Sequence, residues 1–138
     1  MSGKLEDFRA PAKLKLSALW AATMFCYVYG DFFGLFRPGK LMAMNAGKMH
    51  PLGDATPGIL VAVSIMMAIP SVMVFLSLAL PPVINRWLNV LLGLAYTGIM
   101  LLTMKGGAPP YYFTLGAIEI ALTLGVVWVA VTWPKAPA

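Results

Sequence analysis

Two acidic residues stand inside otherwise apolar stretches of this chain, Asp31 and Glu119. An acid in the middle of a lipid-crossing helix costs at least about 2.5 kcal/mol and is a functional hypothesis by default. Glu119 falls about eight residues into the apolar run that begins at Tyr111, or about 12 Å along a helix. Asp31 falls about five residues before the end of the run that closes at Phe36, or about 8 Å from the same face. Two carboxyls from separate helices at similar depth could share a proton, bind a cationic ligand or relay protons. The competing reading is that Glu119 bonds a neighbouring helix as packing glue, and that Asp31 simply reaches water.

Helical spacing supports an inward face for these groups. Tyr112, Gly116, Glu119 and Thr123 recur at three or four residues, and Ser17, Met24, Tyr27, Asp31 and Gly34 make a similar stripe. The third apolar run has Arg86, Asn89, Gly93, Tyr96 or Thr97, and Met100; the second has Ser64, Ala68 and Ser71. The expected site is therefore Glu119 and Asp31 with Tyr27, Ser64 and Tyr96 around them. Asn85, Arg86 and Asn89 cluster at the other end, where a snorkelling Arg anchors lipid headgroups or a gate forms. Pro70 removes one backbone bond mid-helix and frees the carbonyl of Met66, for which Ser71 could compensate. Met42, Met44, Met49 and His50 offer soft donors for Cu(I), but ten methionines are spread over the chain and an apolar Met at an interface is common. No metal site and no cofactor are expected. The lone Cys26 permits no intrachain disulfide, and no Ser-His-Asp or Cys-His set matches in depth, so catalysis finds little support and a lipid- or quinone-modifying enzyme would lack a nucleophile.

The elements that must position these residues follow from composition. Hydrophobic residues make up 60% and charged residues 11% of 138 residues. A soluble domain carries about 25% charged residues, so the surplus apolar surface must meet lipid. The net charge of +5 comes from basic residues flanking apolar runs, which suits headgroups and not nucleic acid. Four runs of about 20 residues, 16–36, 57–80, 82–104 and 111–133, each match a bilayer crossing. Their uniform apolarity favours helices over a barrel. The expectation is an all-α, single-domain, antiparallel bundle of four transmembrane helices with both termini on one side. Pro81-Pro82 and the segment from Lys105 to Pro110 are short breaks, which predict that spans two, three and four are antiparallel neighbours. The long link 37–56 lies on the opposite side from the termini, with a short interfacial helix near Leu41 to Ala46. Lys4, Arg9, Lys13, Lys15, Arg86 and Lys135 share the terminal side, against four basic residues on the other, which places the termini in the cytoplasm. Trp20, Trp87 and Trp133 suit an aromatic belt at that face. The mixed charges before Leu16 precede no cleavage site, so the first span itself directs insertion.

The segments Leu16-Ser17-Ala18-Leu19-Trp20, Tyr27 to Gly34, Ile84 to Asn89 and Ile118-Glu119-Ile120, taken together, resemble a family of small, uncharacterised bacterial four-pass integral membrane proteins. That resemblance implies a multi-pass protein of the bacterial inner membrane and implies no activity. The functional expectation is a small transport or channel-like protein, or a membrane receptor for a small apolar or cationic ligand. Its partners would be the lipid bilayer, such a ligand or protons, and further copies of itself, because one four-helix bundle leaves little room for an aqueous path. The alternative is a non-catalytic scaffold or accessory subunit whose polar residues only pack helices.

Overall fold

The computed structural model describes Leu5 and residues 7–135. Lys4 and Glu6, among the charges read in the polar stretch before Leu16, lie outside the described residues. Five helices and one minimal hairpin make up the described chain: α1 (Ala12–Gly34), α2 (Lys40–Asn45), β1 (Lys48–Met49), β2 (Gly53–Asp54), α3 (Pro57–Ala79), α4 (Pro82–Met104) and α5 (Pro110–Val131). Proline occupies the first turn of α3, α4 and α5, where its missing N–H has no helical partner to lose and its fixed φ suits a helix start. The Thr56 hydroxyl caps α3 by accepting from the Ile59 N–H at 3.3 Å. Gly107 takes φ +80° between α4 and α5, a left-handed conformation that favours glycine.

The short helix expected in the long link is α2, with Leu41, Met42 and Met44 exposed. After it, β1 and β2 pair antiparallel, Lys48 opposite Asp54 and Met49 opposite Gly53, and Lys48 forms an ion pair with Asp54. Both charges face solvent, so the pair adds little to stability.

Three helices, α3, α4 and α5, are long and apolar enough to cross a membrane. α1 has the same 23-residue length as α3 and α4. Lys13, Lys15, Trp20, Tyr27, Tyr29 and Asp31 dilute its apolar content, and it falls short of the standard that the other three meet. The pattern of burial is inverted relative to a water-soluble fold. Ser77, Asn85, Asn89, Thr23, Thr123 and Glu119 are buried, while Phe25, Val61, Phe75, Leu91, Leu102 and Trp128 are among the many large apolar side chains turned outward. A protein solvated by hydrocarbon places its side chains this way, because lipid tails welcome apolar groups and polar groups must find partners inside.

α1 lies between α3 and α5, and α5 packs in turn against α4. Each of these pairs runs antiparallel. Lys13 Nζ donates to the Leu78 carbonyl and Ser17 Oγ to the Val74 carbonyl, pairing the start of α1 with the end of α3. Arg86 Nη2 donates to the Val131 carbonyl, and at the other end Tyr112 donates to Thr103 Oγ1, pairing α4 with α5. The short-link argument holds for α4 and α5 and needs correction for α3 and α4. These two helices touch sparsely although only Leu80 and Pro81 separate them. Two prolines in sequence set a corner that sends the helices apart, and α1 takes the place beside α3.

The core sits nearer the Pro81 end of the helices. Leu16, Trp20, Met73, Tyr96, Val126 and Ala130 form its apolar cluster. Trp20 is fully buried, its ring edge-on to Tyr96 at 5.9 Å, so it is a core residue and not part of an interfacial belt. Trp87 is exposed as the belt requires, and Trp133 is half-buried.

Candidate functional site

A cavity of about 200 Å³ opens among α1, α3, α4 and α5 in the half of the molecule nearer α2 and the hairpin. Its position follows from helix register. The lining residues Asp31, Thr103 and Tyr112 lie within one turn or so of the ends of α1, α4 and α5 and form the rim. Glu119, Tyr96 and Met66 lie on the order of 12 to 14 Å in from those ends and form the floor. Tyr27 lines the wall between.

Glu119 projects from α5 on the same stripe as Gly116 and Thr123, all three buried. Its side chain is 3% exposed, and its Oε2 is buried without a hydrogen-bond partner among the described residues. Thr123, one turn on, bonds the Glu119 carbonyl at 2.9 Å and faces Thr97 Oγ1 at 2.7 Å, which fixes the backbone beneath the acid and leaves the carboxyl itself free. Asp31 lines the same cavity from an exposed position near the end of α1. The two acids thus share one cavity.

Tyr96 is held by a feature of α3. Pro70 has no N–H to give the carbonyl of Met66, four residues back, and the Tyr96 hydroxyl of α4 donates to that carbonyl instead. Ser71, expected to compensate, bonds the Met67 carbonyl at 2.9 Å. The proline therefore ties α3 to α4 at the cavity floor, where the two helices otherwise touch little.

Of the five residues expected to surround a ligand, Glu119, Asp31, Tyr27 and Tyr96 line the cavity. Ser64 does not. It is exposed, and its hydroxyl is taken up by the Leu60 carbonyl of its own helix at 2.7 Å. The whole stripe of Ser64, Ala68 and Ser71 faces outward. α3 turns Val63, Met66 and Met67 to the cavity instead, and buries Pro70, Met73 and Ser77. α3 is apolar all round, so spacing alone carries no sign of which side faces in. Tyr112 and Gly116 were legible as neighbours of Glu119, and Met100 as part of the inward stripe of α4; Thr103 and the α3 methionines were not.

Asn85 and Asn89, expected at a headgroup site or a gate, lie between helices and away from the surface. Both are fully buried. Trp20 Nε1 donates to Asn89 Oδ1 at 2.7 Å, Asn89 Nδ2 donates to Asn85 Oδ1 at 2.7 Å, and Asn85 Nδ2 donates to the Ser77 carbonyl at 2.7 Å. This chain of bonds joins α1, α3 and α4 below the cavity. Arg86 alone points to the rim of the other end, its guanidinium 5.5 Å from the Trp87 ring centroid and its Nε buried without a partner among the described residues. Among the described residues no three of His, Cys, Asp and Glu group closely enough to hold a metal ion.

The fold and the site define a class: a small α-helical protein with apolar outer faces, three membrane-length helices and a carboxyl group in an internal cavity. The chain belongs to a family of unknown function, DUF6326, which it matches over residues 4–138. No curated protein and no solved structure matches it.

Proposed function

We propose that this chain is a four-span protein of the bacterial inner membrane, with both termini in the cytoplasm, that binds or transports a small apolar or cationic ligand through the carboxyl of Glu119. One observation carries the reading: Glu119 is almost fully buried, its Oε2 has no partner among the described residues, and it faces a cavity that it shares with Asp31. A carboxyl used as packing glue would be bonded across a helix interface, as Asn85 is to the Ser77 carbonyl and Asn89 to Trp20. Burying an acid without a partner is costly, and such groups collect where a ligand or a proton must be held. The outward faces of α1 support its counting as a span, since Phe25, Val28, Tyr29, Phe32 and Phe33 are exposed along it. The cavity floor is sealed by the Trp20-Asn89-Asn85 network and the Thr97-Thr123 contact, which favours a receptor or an alternating carrier over an open channel. A carrier of this size would work as a homo-oligomer.

The second reading, a non-catalytic scaffold or accessory subunit, draws support from that same buried network, whose members line no part of the cavity and join helices to one another. The two separate by thermal unfolding of Glu119→Gln in maltoside micelles and by proton flux into proteoliposomes. The binding reading expects unchanged or raised stability, because a group kept for function at a cost to folding is removed, together with lost flux or ligand response. A fall of several degrees with flux unchanged would favour the scaffold.

A further inference from the structure

We propose that the cavity takes a monovalent organic cation with apolar substituents, a substituted ammonium, and that each cation bound displaces one proton from the carboxyl of Glu119. This rests on the binding reading above and names its ligand class and its exchange partner.

The charge of the site selects the sign of the ligand. Among the described residues no Lys, Arg or His lines the cavity, and its two acids are Glu119 at the floor and Asp31 at the rim. An anion would find no cationic side chain among the lining residues, and the nearest one, Lys40, already faces Asp31 at the mouth. A divalent metal is poorly matched, because it needs several oxygens within about 2.0 to 2.6 Å. Glu119 lies nine residues inside α5 and Asp31 three residues from the end of α1, which separates them by on the order of 8 Å in depth. They cannot grip one ion together. Asp31 is placed to draw a cation to the mouth, and Glu119 to hold it within.

The walls select the shape. Tyr96 and Tyr112 spend their hydroxyls on the Met66 carbonyl and on Thr103 Oγ1, so what they offer a ligand is ring surface. Met66, Met67 and Met100 add polarizable thioethers. Aromatic faces beside one carboxylate form the environment that recognises alkylated ammonium groups, whose charge is spread under apolar carbon. A small hydrated inorganic cation would have to shed water for walls with few free oxygens.

Proton exchange follows from burial. With no cationic side chain beside it, the buried carboxyl must carry either a proton or a bound cation. The titratable groups around it are Cys26, Tyr27 and Asp31 from α1, Tyr96 from α4 and Tyr112 from its own helix, while α3 presents Val63, Met66 and Met67. None of them is a base that could retain the proton inside. The step balances: the neutral carboxylic acid of Glu119 meets a quaternary ammonium cation, its O–H bond breaks, the carboxylate keeps the electron pair and pairs with the cation, and the proton leaves to solvent.

The test is equilibrium dialysis of radiolabelled benzyltrimethylammonium against the full chain in maltoside micelles, with protein-free micelles as control. Proton release is read in parallel by a pH-indicator dye in weakly buffered solution. The uncharged isostere neopentylbenzene is dialysed in the same way. Saturable binding of the cation, one proton released per cation, and an affinity at least about tenfold weaker in Glu119→Gln are expected, the fold-change following from loss of a close buried charge pair. Binding of the cation without proton release overturns the exchange. Equal binding of the isostere overturns the cationic class and leaves a cavity for apolar ligands standing. Binding of neither probe overturns the proposal and the binding reading together. The proton count on the unmodified protein decides the exchange even where Glu119→Gln fails to fold.

Discussion

At the scale of single residues, the exchange between Pro70 and Tyr96 is the clearest case of one side chain repairing what another breaks. Proline leaves the Met66 carbonyl without its helical donor, and the Tyr96 hydroxyl supplies one from the neighbouring helix. Tyr96→Phe should therefore cost about 0.6 kcal/mol, the mean for an interhelical hydrogen bond in lipid, with about 1.7 kcal/mol as the upper end. In a Pro70→Ala background the restored backbone N–H can serve Met66, and the same substitution should cost measurably less. Chemical unfolding of the four proteins of this double-mutant cycle in micelles reads the difference; equal costs in both backgrounds would refute the repair. Asn89 presents the opposite case, a residue with several dependants. Replacing it by Leu strips Trp20 Nε1 and Asn85 of partners in a fully buried place, which should destabilise by about 1 to 3 kcal/mol per group left unpaired. Asn89→Leu combined with Trp20→Phe should lose less than the sum of the two single changes, as measured in the same way.

At the scale of elements, the decisive contacts are close approaches of α5 to α4. A methyl group added at Gly93 would stand 2.7 Å from Val127 Cγ2 and 3.0 Å from the Thr123 carbonyl oxygen. The backbone of α5 cannot yield without parting the helices. A methyl at Gly116 would stand 2.7 Å from Met104 Sδ and 3.2 Å from Met100 Sδ, both on flexible side chains. Gly93→Ala should therefore cost about 1 to 3 kcal/mol, the range for overpacking a tight core, and Gly116→Ala distinctly less. The order of their unfolding midpoints in one detergent checks this; a reversed order would mean that the α4–α5 interface is more compliant than its geometry implies.

At the scale of the whole molecule, the polar groups divide into two populations. Near the Pro81 end they are bonded to one another and join α1, α3 and α4. In the half nearer the hairpin, α3 and α4 diverge, and the space between the helices holds two acids, one of them buried and unpaired among the described residues. The bonded network and the proposed site thus lie towards opposite ends. Asp31→Asn, at the exposed rim, should leave the unfolding free energy within about 0.5 kcal/mol of the parent and slow cation association, with the difference shrinking as salt rises. Association rates at low and high ionic strength check this, and a rate indifferent to both charge and salt would remove Asp31 from the entry path.

The amino-acid sequence alone determined that the chain is helical and apolar in lipid, where α3 to α5 begin and end, and which faces of α4 and α5 turn inward. These follow from length, proline punctuation and small or polar stripes at helical spacing, all of which are local. It also placed Glu119 and Asp31 on facing elements. The tertiary structure decided what spacing cannot encode. α3 is apolar on every side, so only its neighbours choose its inner face, and Ser64 fell outside the cavity for that reason. Asn85 and Asn89 lie close to Arg86 in sequence and suggested a headgroup site, yet their side chains point between helices and find Trp20 and Ser77. The divergence of α3 from α4, which makes room for the cavity, depends on the insertion of α1 beside α3, a contact between segments far apart in the chain.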